Sequence, residues 1–169
     1  MTSIIRADNI STVSGSGNIT VASGTNLYAP GHVIQVEDFQ RVGSNSITTT
    51  SFSSTGITKT ITPKSATSKI LAIVNLGSIY NSSTSGQPRF TLYRGSTNLG
   101  GTQGNTSDNF GQTFNSAGAV SIQCTFTHLD SPATTSAITY TVYVRTNTGT
   151  AIIGHDSARN GITLLEIAQ

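Results

Sequence analysis

Groups able to do chemistry are few in this 169-residue chain: three histidines, one cysteine, seven carboxylates and nine Lys plus Arg, set among 51 Ser and Thr. Cys124 and His128 lie four residues apart in an alternating apolar run, which puts them on one face of a strand roughly 13 Å apart. That is too far to ligate one metal ion, and the run reads Cys124 as a small buried hydrophobe. His155-Asp156 and His128-x-Asp130 set an imidazole beside a carboxylate. Among so many hydroxyls such a pair finds Ser or Thr by chance, so both read as solvated loop groups rather than parts of a triad. Glu37-Asp38 is the sole adjacent carboxylate pair. Glycoside hydrolysis needs two carboxylates opposed across a sugar, so adjacency reads as a loop or strand end. The sequence holds no phosphate-binding loop, dinucleotide fingerprint, nucleophile elbow or H-E-x-x-H motif. It therefore points to no catalytic residue, metal site or cofactor, and to a protein that is not an enzyme.

Glu166 stands out because it interrupts a strand that is otherwise apolar on both faces, where a charge is costly unless paired. The expected partner is Arg89, Arg94 or Arg145, or a residue across a subunit boundary. Tyr28, Tyr80, Tyr93 and Tyr143 read as packing residues or, if exposed, as flat faces for sugars. The Asn-x-Ser/Thr triplets at Asn9, Asn18, Asn81 and Asn105 carry no meaning in a chain with 12 Asn. The basic residues are scattered from Arg6 to Arg159, so a net charge of +2 predicts no nucleic-acid footprint. The longest unbroken apolar stretch is Ile70 to Val74, far below the ~18 residues of a membrane helix. With no basic-then-apolar leader, the expectation is a protein made in the cytoplasm and neither secreted nor membrane-inserted.

Those residues must be positioned by β structure. Only 35% of the chain is hydrophobic and 9% charged, with 17 Gly, a composition poor in helix formers. Apolar residues recur at alternate positions, the signature of half-buried strands. Ile57 to Thr62 places Thr at every second position. Ala119 to His128 sets Val120, Ile122, Cys124 and Phe126 on one face. Ala137 to Thr146 sets Ile138, Tyr140, Val142 and Val144 against Thr139, Thr141, Tyr143 and Arg145. Two runs, Lys69 to Tyr80 and Ile162 to Ile167, are apolar on both faces, so each needs cover on both sides. In a small sandwich the second cover is a neighbouring subunit. Turn residues between the runs fit about eight to ten antiparallel strands. Residues 1–30 read as an extended arm and 31–169 as one all-β domain. The longest polar connections, Gly100 to Thr113 and Asn81 to Gln87, are the loops suited to binding.

APGHVIQV, ITPKSATSKILAIVNLGSIYN, FTLYRGSTNLG, THLDSPATTSAITYTVYVRTNTGTAII and the closing ITLLEIAQ together resemble a family of tailed-phage virion proteins found among marine and cyanobacterial phages. The resemblance runs from Ala29 to Gln169. It implies a non-enzymatic particle-surface protein with a β-sandwich domain and no catalytic residue. The strand order also resembles, at the level of fold, the trimeric jelly roll of tumour necrosis factor-like and complement-head domains. That likeness implies a homotrimer with Ile162, Leu164, Leu165, Glu166, Ile167, Leu71 and Ile73 at the interface. The arm, with Ile4, Ile5, Ile10, Val13, Ile19, Val21, Leu27 and Tyr28, would attach to the major capsid protein or another virion protein. The leading expectation is a capsid decoration or cement protein on the virion surface. The alternative is a tail fibre or receptor-binding module whose Asp108, Asn109, Phe110, Tyr80 and Asn81 meet host glycans.

Overall fold

The computed structural model describes residues 29–101, 108–114 and 120–169; the expected arm residues Ile4, Ile5, Ile10, Val13, Ile19, Val21, Leu27 and Tyr28 lie outside them. Among the described residues the strands are β1 (Val33–Val42), β2 (Asn45–Ile47), β3 (Ser53–Ile61), β4 (Lys69–Asn81), β5 (Arg89–Arg94), β6 (Thr97–Asn98), β7 (Gly111–Gln112), β8 (Ile122–Asp130), β9 (Ile138–Arg145), β10 (Ala151–Ile153) and β11 (Arg159–Ile167). A 3-10 turn at His155–Ser157 separates the last two.

They form two antiparallel sheets. In sheet A, β4 pairs with β8 along one edge and with β11 and then β10 along the other, while β1 and β2 flank β11 and β10. In sheet B the order is β3, β9, β5, with β6 and β7 both paired to β5. The end-to-end pairs β1/β2, β6/β7 and β10/β11 act as single interrupted strands. The orders then become one-eight-three-six and two-seven-four-five, which is a jelly roll. The all-β expectation holds in this architecture.

Period-two alternation builds the core. Ile70, Ala72, Val74 and Leu76 of β4 and Ile162 and Leu164 of β11 face Phe90, Leu92, Tyr140, Val142 and Val144 of sheet B, all buried. The two open sides of the sandwich are closed differently. At the β8 side, Phe126 stacks on Phe90 and on Phe110, with centroids 5.5 and 5.0 Å apart. Deeper, Asp130 of sheet A accepts both Nη1 contacts of Arg94, at 2.8 and 2.9 Å, and the Tyr140 hydroxyl at 2.6 Å. Both of those donors belong to sheet B, so Asp130, buried beneath a half-buried Arg94 and beside a buried Tyr140, ties the two sheets together. At the β1 side, Glu37 meets Lys59 of β3 at 2.8 Å.

Sheet A breaks its own ladder along one line. Gly154, with φ +75°, donates to Ser78 O at 2.7 Å, and Gly77 donates to Asn160 Oδ1 at 3.1 Å. A Cβ at Gly77 would stand 2.2 Å from Arg159 O, and one at Gly154 would stand 2.4 Å from Gly43 O. The backbones therefore approach here only because glycine lacks that atom. The register shift between Leu76 and Ile79 against β8 falls at the same level. One expected strand is shorter than its pattern. Val120 precedes β8 and is 49% exposed, and Ile122 begins it at 39%. Of that face, Cys124, Phe126, His128 and Asp130 turn inward.

Candidate functional site

The two strands that read as apolar on both faces lie side by side in the middle of sheet A. Their outer residues pair with those of the flanking strands in one row: Leu129 with Leu71, Leu71 with Leu165, Leu165 with Val36. The row crosses all four strands. Val36 is 56% and Leu129 49% exposed, while Leu71 and Leu165 between them are half-buried. Ile167 pairs with Val33, which is 38% exposed, and Ile73 stands in the next row beside Thr163. Large apolar side chains facing water as a connected row mark an interaction surface more often than a solvated one.

The other half of the same face is polar. Asp38 accepts from Thr163 Oγ1 at 2.7 Å, Thr125 and Gln123 donate to Asn75 Oδ1, and Arg159 reaches Gln40 Oε1 at 3.4 Å. Gly161 leaves a shallow hollow of about 80 Å³ among them. The outer face thus runs from an apolar end to a polar end bearing one acid, Asp38, and one base, Arg159.

Three of the seven expected interface residues turn the other way. Ile162, Leu164 and Glu166 have no exposed surface and point into the sandwich, so they offer a partner no area. Leu71, Ile73, Leu165 and Ile167 are the members that face outward. Glu166 also lacks its expected arginine. Its Oε1 accepts the backbone N–H groups of Lys64 at 2.8 Å and Ser65 at 3.3 Å, and its Oε2 accepts Gln35 Nε2 at 2.6 Å. It caps the turn after β3 from inside the fold. The arginines go elsewhere: Arg94 to Asp130, Arg145 to Asp108 at 2.8 Å, and Arg89 to the Gln112 and Gln87 side-chain oxygens at 3.0 Å each.

The expected ligand loops divide in the same manner. Asn81 is 2% exposed and holds a turn, donating to Thr146 Oγ1 and accepting from the Ser83 N–H. Phe110 is packed on Phe126 and meets His128 edge-on at 5.2 Å. Asp108 folds over sheet B onto Arg145, and Asn109 beside it is half-buried. Tyr80 stacks on His155 at 4.6 Å. His155 Nδ1 meets both Asp156 Oδ2, at 3.1 Å, and Ser121 Oγ, at 3.4 Å. A triad needs its acid and its nucleophile on opposite ring nitrogens, so this cluster lacks that geometry. No group of three or more His, Cys, Asp or Glu among the described residues is placed to hold a metal ion. Burial pushes the Cys124 thiol above its usual range, which makes it a poor nucleophile near neutral pH.

The outer face of sheet B carries what the sequence left undeveloped. Tyr93 and Tyr143 lie with ring centroids 4.1 Å apart, Phe52 meets Tyr93 edge-on at 6.3 Å, and the Arg145 guanidinium sits 4.7 Å over the Phe52 ring. Burial, with Tyr143 and Asp108 nearby, raises the Tyr93 hydroxyl above its ordinary value. The signals for this cluster were the reading of Tyr93 and Tyr143 as flat faces and the outward register of Tyr143 and Arg145 on β9. Comparison of the chain with models of protein families and with curated protein sequences gives no match.

Proposed function

We propose that this protein is a non-enzymatic structural component of a tailed-phage virion, a homotrimer closed through the outer face of sheet A, that decorates the capsid and reinforces its shell. The observation that carries the reading is the exposed row Val36, Leu165, Leu71 and Leu129, four strands wide, on the outside of a jelly roll. Strands sit about 4.8 Å apart, so the row spans roughly 15 Å, and burying its side chains against a second and third copy removes apolar area from water at about 25 cal/mol per Å². The trimer, rather than another closed ring, follows from the resemblance to tumour necrosis factor-like and complement-head jelly rolls. The virion setting follows from the resemblance to phage surface proteins. A trimer gripping three neighbouring capsid subunits through its arms gains avidity that one arm lacks. The partners in this reading are the chain itself and the major capsid protein or another virion protein. Nucleic acid and membrane have no part in it.

Cryo-electron microscopy of the phage particle tests the assignment. Density for the chain at three-fold positions of the shell is the expected result, and removal of Thr2 to Pro30 should abolish occupancy while residues 31–169 still fold. Density confined to the tail would overturn it. That result would favour a receptor-binding module for host glycans, a second reading supported by the Phe52, Tyr93 and Tyr143 rings on the outer face of sheet B.

A further inference from the structure

Asn-Gly is a dipeptide that favours a tight turn, and Asn160-Gly161 is the one such pair in the chain. It does not turn. Both residues lie in β11, between β1 and β4, where Asn160 faces Arg41 and Leu76 and Gly161 faces Gln40 and Asn75 across the two ladders. Asn160 has no exposed surface. Its side chain is held at both ends, with Oδ1 accepting the Gly77 N–H at 3.1 Å and Nδ2 donating to Ala158 O at 3.0 Å. An amide suits this position because it supplies an acceptor and a donor together, which a carboxylate does not. The same dipeptide is chemically labile, since without a Cβ on the glycine nothing hinders attack of its nitrogen on the neighbouring side-chain carbonyl.

We propose that Asn160-Gly161 is a latent modification site, inert while β11 is seated and converted once the strand leaves the sheet, and that its isoaspartate product bars the chain from closing again. In the reaction Gly161 N attacks Asn160 Cγ, a C–N bond forms, and the side-chain nitrogen leaves as ammonia with the proton of the attacking amide. Water then opens the succinimide at either carbonyl, giving aspartate or isoaspartate with no change of oxidation state. The closed sheet blocks the first step. Ring closure takes the backbone at Asn160 out of the extended conformation that both ladders impose, and it breaks the Gly77 and Ala158 bonds that hold the amide. Both residues are also buried away from water. The product blocks the return. Aspartate at this position keeps an acceptor for Gly77 but sets an oxygen against Ala158 O, and the cation across the ladder is Arg41, whose Nε and Nη2 are buried without a hydrogen-bond partner among the described residues. Isoaspartate has no such offset. It adds a methylene to the backbone where even a Cβ at Gly161 would stand 2.8 Å from Phe39 O, and it throws the later pairings of β11 out of step. The site lies within one sandwich, so it stands or falls independently of the proposed trimer.

The test uses the full chain, incubated in mildly alkaline heavy-oxygen water with and without urea and then digested in ordinary water, so that the isotope marks conversion during incubation alone. Cleavage after Arg159 releases residues 160–169, in which Asn160 is the single asparagine, and mass spectrometry reads the change from amide to acid. In urea Asn160 should convert ahead of every other asparagine. In native buffer its conversion should be slower by about a hundredfold or more, because a central strand opens only at a free energy near that of global unfolding. Gly77→Ala crowds the same line of contact and should speed native conversion about tenfold or more while leaving the rate in urea unchanged. After ageing in urea and dilution, isoaspartate at this position should be confined to the fraction that size exclusion separates from the folded chain. Equal rates in native buffer and in urea, no preference for Asn160 in urea, native conversion untouched by Gly77→Ala, or isoaspartate in the refolded fraction would each overturn the proposal.

Discussion

At the scale of single residues, the decisive question in this fold is where a charge finds its partner. Glu166 has zero exposure, yet it is matched by two backbone amides and the Gln35 amide rather than by a cation. Removing the carboxylate strands three donors in the interior. Glu166→Ala should therefore cost about 3 to 5 kcal/mol in urea unfolding and leave the oligomeric mass of the folded fraction unchanged. A change in mass with little loss of stability would instead place Glu166 at an interface. Tyr140 offers a pH test. Burial and then its hydrogen bond to Asp130 raise its hydroxyl far above the ordinary value near 10, so the neutral phenol is the form the fold holds. That contribution is complete below pH 10 and is lost as pH rises above it, because the unfolded chain then releases a proton the native chain retains. Tyr140→Phe should lower stability at pH 7 by about 1 to 2 kcal/mol and flatten the alkaline decline measured by denaturation between pH 9 and 11. An equally steep decline in the variant would sink this assignment. The sequence exposed the cost of Glu166 but not its solution. Gln35 and the turn at Lys64 and Ser65 come to it only through pairings 131 and about 100 residues apart.

At the scale of elements, alternation in the sequence was enough to place β3, β4, β8, β9 and β11, because a period of two follows from the pleat itself. It did not say which face of β4 or β11 is inner, since both faces are apolar. Ile162, Leu164 and Glu166 share one face and Leu165 and Ile167 the other, but only the pairing of β11 between β1 and β4 decides which of them meets sheet B. Breaks in the ladder were also hidden. Val120 and Ile122 extend the pattern of β8, yet β4 shifts its register opposite them at Gly77. Glycine there reads as a weak point in a strand, whereas its role is to admit the Arg159 carbonyl. Gly77→Ala adds one methyl and forces backbone to move, so thermal unfolding should show a loss of about 2 kcal/mol or more. A neutral result would mean that β4 and β11 can separate at this level without cost. The facing of Arg89 and Arg145, 56 positions apart, was equally illegible, because neither run carries a sign of its neighbour.

At the scale of the whole molecule, one sandwich presents two unlike outer faces. Sheet B turns outward an aromatic and arginine-lined surface on which Asp108 meets Arg145, and sheet A turns outward an apolar row grading into polar residues. The second is the surface a single copy leaves uncovered, and closing it is the centre of the account. Leu165 lies in the middle of that row and faces away from the core, so Leu165→Arg should leave the protomer folded while placing an unpaired charge where copies meet. The measurement that bears most directly on this is sedimentation equilibrium of the purified chain beside Leu165→Arg. The account predicts three times the 17.6 kDa chain mass for the parent and one chain mass for a folded variant. A parent that sediments as a monomer, or a variant that keeps the parent's mass, would contradict it.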